Sequence, residues 1–172
     1  MRLFDRPAFI ILTIAMGLAA GPVSAAIGVR FIEGAPKDRF EITNQAACAV
    51  AAAEIVIDLS ASTAGLVFDV TGTGAGVEEF QPFELVAGAE ALSTQPKVVD
   101  GDQQIVLSIR RLAPGKRVAF TIDVDDTIGP RGITVSGSEI EGAVVRMKTS
   151  GTTSAGRFSS LAEAVVQTPA CP

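Results

Sequence analysis

The sequence predicts an all-β protein, an antiparallel β-sandwich of immunoglobulin- or fibronectin-like kind. Short runs in which apolar and polar residues alternate occupy most of the chain. Their apolar positions are mostly β-branched or aromatic, the mark of half-buried strands. Clusters of Gly, Pro and Asp separate the runs, without intervening helical periodicity, as many short antiparallel strands require.

Taken in order, Phe40 and Ile42 alternate with Glu41 and Thr43, after turn residues Gly34 and Pro36. Gln45 to Glu54 is alanine-rich, and alanine favours helix. It runs straight into Ile55, Ile57 and Leu59 without a C-cap, so a strand or edge with small side chains is expected. Leu66, Phe68 and Val70 follow, then a turn at Gly72, Gly74 and Gly76. Phe83, Leu85 and Ala87 predict a strand through Ala87, then a loop. Asp100-Gly101-Asp102 marks a tight turn before the strand of Ile105, Leu107 and Ile109. Pro114-Gly115 precedes Val118, Phe120, Ile122 and Val124, and Gly129-Pro130 follows them. Ile133 and Val135 predict one more strand, and Thr149 to Gly156, rich in Ser, Thr and Gly, predicts a flexible loop.

The N-terminus has the order of a secretory signal peptide. Arg2 and Arg6 precede an uncharged apolar run of 13 residues, Ala8 to Ala20, and Val23-Ser24-Ala25 follows. That run is shorter than the ~20 apolar residues that span a bilayer. Cleavage is expected after Ala25, with Ala26 as the second choice. The expected organisation is a signal peptide over 1–25 and a single sandwich domain over 26–172, with no membrane span after signal removal. Residues 1–25 hold two Arg and one Asp, so cleavage takes the net charge from −5 to −6. An exported, periplasmic or extracellular chain with two cysteines predicts a Cys48–Cys171 disulfide. Free thiols or an intermolecular bridge are the alternatives.

Composition narrows the chemistry. The chain has no His, Trp or Tyr. That removes Ser-His-Asp and Cys-His mechanisms and His-based metal sites. An acidic chain with pI near 4.7 argues against nucleic acid and anionic membranes as partners. The Gly-rich run at 72–76 lacks the Lys-Ser/Thr ending of a phosphate loop and is followed by Glu78 and Glu79. Glu78/Glu79 and Glu139/Glu141 are carboxylate pairs without the sugar-stacking Trp or Tyr of many glycosidases, and the expectation is a non-enzymatic protein.

The acidic group Asp123, Asp125 and Asp126 is the candidate metal site. Alternation puts Asp123 and Asp125 on one strand face. Crowded carboxylates suit a hard cation, and calcium, the cofactor candidate, takes mainly oxygen ligands. Asp100 and Asp102 would add ligands if the loops meet. The alternative is a solvated strand edge that uses charge against aggregation. Arg110-Arg111 and Lys116-Arg117 flank the Pro114-Gly115 turn. They form a basic patch suited to an acidic polysaccharide or to surface ion pairs.

Several segments carry a resemblance. They are Ala35-Pro36-Lys37-Asp38-Arg39-Phe40-Glu41-Ile42-Thr43-Asn44, Ile57-Asp58-Leu59-Ser60, Gly65-Leu66-Val67-Phe68-Asp69-Val70 and Phe80-Gln81-Pro82-Phe83. Leu112-Ala113-Pro114-Gly115 and Phe120-Thr121-Ile122-Asp123-Val124-Asp125-Asp126-Thr127 complete the set. Over roughly residues 30–145 the chain resembles small exported bacterial proteins of the "aggregation factor core protein" kind, named after the sponge adhesion proteoglycan. The resemblance implies extracellular, calcium-promoted adhesion. The Leu-Ala-Pro-Gly turn is also similar to turns of immunoglobulin-like and fibronectin-like sandwiches. The expected function is binding or adhesion, the partner being a second copy, an envelope or extracellular protein, or a polysaccharide. A periplasmic accessory module that binds another envelope protein through a strand edge is the alternative.

Overall fold

The computed structural model describes residues 26–74, 80–128 and 134–171. The signal-peptide expectation, Glu78/Glu79, Gly129-Pro130 and Ile133 lie outside the described residues. Among the described residues, ten strands pack as two antiparallel sheets. They are β1 (Ala26–Ile32), β2 (Asp38–Asn44), β3 (Val50–Asp58), β4 (Val67–Asp69), β5 (Glu84–Ala87), β6 (Gln104–Leu112), β7 (Arg117–Asp125), β8 (Val144–Lys148), β9 (Thr153–Arg157) and β10 (Glu163–Gln167). One sheet runs β10-β1-β2-β7-β4, with β5 also paired to β7; the other runs β6-β3-β8-β9. Among the described residues no helix is long and apolar enough to cross a membrane.

The core lies where the alternating residues of both sheets meet. Phe40 and Phe120, opposite each other in the β2–β7 ladder, stack with centroids 5.1 Å apart. Phe31, Phe68 and Phe83 extend this aromatic group. Ile55, Ile57, Ile105 and Leu107 face them from the second sheet and are fully buried. Phenylalanine thus fills the centre that tryptophan often fills in sandwiches.

The alanine-rich segment enters strand β3 at Val50, as its missing C-cap predicts. The Phe83 run is strand β5 through Ala87, followed by a short 3₁₀ turn at Ala89–Ala91. Two expectations need correction. Val135 is buried but lies outside any strand, in a turn-rich stretch where Ser136 accepts the N–H of Glu139. The expected loop over 149–156 tightens at Thr149, whose N–H bonds Thr152, and continues as β9. There a small residue is required: a Cβ on Gly156 would collide with the backbone of Val165. Strands β1, β8 and β10 complete the sheets.

Cys48 and Cys171 form a disulfide, with Cα atoms 5.7 Å apart and a sequence separation of 123. It ties the segment before β3 to the chain's last residues.

Candidate functional site

The end of β7 carries the acidic group. From Ile122 to Asp125 every residue of the strand is buried, so both of its faces are covered, and β2 and β4 pair with its two edges. The solvated-edge reading therefore does not hold: Asp123, Asp125 and Asp126 are only 8%, 3% and 5% exposed. Asp69 of β4 lies directly opposite Asp123, and Val67 opposite Asp125. Asp38 begins β2 opposite Ile122, and its Oδ1 accepts the N–H of Gly34.

Asp38 and Asp69 are buried carboxyls beside this group that the sequence pattern did not single out as site residues. Burial pushes the Asp38 carboxyl up to about 8, and the charges of Asp123 and Asp125 add to the rise. Asp69 is fully buried, and neither of its oxygens accepts a well-formed hydrogen bond. Burial raises it to about 7, with the adjoining Asp100 and then Asp125 acting in the same direction. Both facts follow from one cause: a carboxylate loses its hydration on burial and is favoured in its neutral form.

The loop acids have local duties. Oδ1 of Asp100 accepts the N–H groups of Val70 and Thr71, at 3.1 and 3.2 Å. The loop closes so tightly over this carboxylate that a Cβ on Gly74 would run into it. Asp102 turns its Oδ2 back to the N–H of Val99, 2.8 Å away, and so holds the predicted tight turn. Asp100 thus joins Asp69, while the Asp102 carboxylate is engaged within its own turn. Among the described residues no three His, Cys, Asp or Glu side chains stand close enough together to hold a metal ion. Among the described residues, the five acids expected to bind calcium therefore do not form a preformed cation cage.

A second feature arises from the sheet edges. On β4, Phe68 bonds the backbone of Gly101 and Asp102. On β6, Leu92 bridges Ile109, and Ser93 donates to Ser108. β9 and β10 run against each other at the corner where Gly156 meets Val165. β5 has β7 on one side and, among the described residues, no strand on the other. Its register slips between Leu85 and Ala87, a bulge that leaves Val86 48% exposed. A groove of about 560 Å³ opens beside it, bounded by Phe83, Leu85, Val86, Leu92 and Thr94. The alternating run showed that β5 exists; its edge position and bulge come from tertiary pairing and had no signal in the sequence.

Comparison with family models, curated proteins and solved structures found no match.

Proposed function

We propose that the protein is an exported, non-enzymatic adhesion module that associates through the open edge of β5, first with a second copy of itself. The observation that supports this is β5, which among the described residues has no strand on its outer side and lies beside an open groove. An edge strand presents unpaired N–H and C=O groups, a template for strand addition. An antiparallel β5–β5 pairing is self-complementary, as a two-fold dimer requires. The disulfide and the signal-like N-terminus agree with work outside the cytoplasm. A second reading, an accessory module that receives a strand from another envelope protein, draws on the groove, which offers room for an extended segment.

Sedimentation velocity of the mature chain across a concentration series tests the proposal. Association should grow with concentration and vanish in Val86→Lys, which places a charge on the edge without disturbing the core. The melting temperature of the variant should be unchanged, since Val86 is already half exposed. A chain that stays monomeric throughout overturns self-association.

A further inference from the structure

We infer that the groove formed by Arg110, Arg111 and Lys116 binds an acidic polysaccharide. This surface is separate from the open edge of β5 and goes beyond the adhesion reading. The groove holds about 630 Å³, and its apolar walls come from Ala51, Ala91 and Leu112. Glu90 stands at the same groove.

The backbone is arranged to put these cations together. Strict alternation along β6 would turn one of two adjacent arginines inward. Opposite Arg110, however, Ala52 has a φ of 48°, a left-handed conformation that residues other than glycine rarely adopt. The pairing β3–β6 skips this position. Beyond it, Val50 and Leu112 are buried while Arg110 and Arg111 are both exposed. A rare backbone state at a ligand-sized groove is an observed outlier from which a functional role can be argued.

The opposite wall is equally fixed. Asn44 is fully buried, and its side-chain amide donates to the carbonyls of Cys48 and Leu112, at 2.8 and 2.9 Å. Its backbone carbonyl accepts the N–H of Gly115, and its N–H donates to Lys116. The turn that carries Lys116 is therefore bolted to the strand end that carries Arg111. Arg110 donates to the backbone carbonyl of Glu90, which positions its guanidinium at the groove. Among the described residues, Arg111 and Lys116 join no ion pair, whereas Arg117 reaches Glu41. Two cations are thus left for a ligand.

The ligand class follows from charge and surface. Guanidinium groups match carboxylates in planar, two-point hydrogen bonds. Small apolar walls fit the C–H faces of sugar rings. The groove lacks an aromatic side chain on which bases would stack. A glycan with one carboxylate per sugar meets all of these conditions.

Titration calorimetry of the mature protein with polygalacturonate at low salt tests the assignment. Binding should weaken with salt. It should fall at least about tenfold in Arg111→Ala/Lys116→Ala, because two charge-assisted contacts are lost. Lys97→Ala/Lys148→Ala removes the same charge elsewhere and should bind like the parent. Equal binding to neutral dextran overturns the assignment, as does equal loss in both double variants. Competition by inorganic phosphate at the affinity of the polymer would identify a small-anion site, and tighter binding to duplex DNA a nucleic-acid site; either overturns it. Absence of binding also overturns it and leaves the β5 edge untouched, since Val86→Lys tests that surface alone.

Discussion

Replacing Asp38 by Asn should remove much of the protein's loss of stability in alkali. The Asp38 carboxyl is 2% exposed and is raised from 3.8 to about 8, first by burial and then by Asp123 and Asp125. A raised folded value means that the fold prefers the neutral acid. Its contribution is fully present below the unfolded value of 3.8 and is lost as pH climbs through about 8. At roughly 1.4 kcal/mol per unit, the part lost between pH 5 and pH 8 is of order 4 kcal/mol. That is a large share of the ~5–15 kcal/mol that holds a domain folded. Asn keeps an acceptor for the Gly34 N–H and carries no charge, so Asp38→Asn should resemble the parent near pH 5 and exceed it near pH 9. Urea unfolding at pH 5, 7 and 9 measures this. The reasoning is refuted if the parent's stability is flat or rises over that range, or if both proteins lose it equally.

Three further outcomes are expected. Cys48→Ser/Cys171→Ser should cost up to about 5 kcal/mol in urea unfolding, because the bond closes a long loop in the unfolded chain. Arg146→Met should cost roughly 1–3 kcal/mol, since it strips a buried carboxylate of its charged partner. That carboxylate is Asp58, which despite its burial is held below 3.8 by Ser60 and Arg146, 2.7 Å away; its contribution is present above 3.8 and lost in acid, opposite in sign to Asp38. Calcium at constant ionic strength should leave the melting temperature unchanged, and a rise that scales with calcium would show that the acids of β7 regroup around the ion.

The sandwich was legible in the sequence because its central strands bury one face and alternate cleanly. Phe40 and Ile42 of β2, buried between the partly exposed Arg39, Glu41 and Thr43, are the clearest case. The disulfide was legible from the even cysteine count together with the signal-like N-terminal pattern. Strand β9 was not, because its residues, Thr153-Ser154-Ala155-Gly156-Arg157, carry no large apolar side chain and follow a turn. Burial of Asp123 and Asp125 was hidden for another reason. Alternation assigns them to the outer face, and nothing local reports that this face is buried there. The basic patch was visible as residues only. Its assembly depends on Ala52, whose left-handed backbone has no marker in an alanine-rich run.

Amide hydrogen exchange of the mature protein, dilute and concentrated, tests the β5 edge most directly. Protection at residues 84–87 should rise with concentration, while residues 153–157, already against β10, stay unchanged. In Val86→Lys the rise should disappear. Association accompanied by unchanged exchange at 84–87 would contradict the account, because the contact would then lie elsewhere on the molecule.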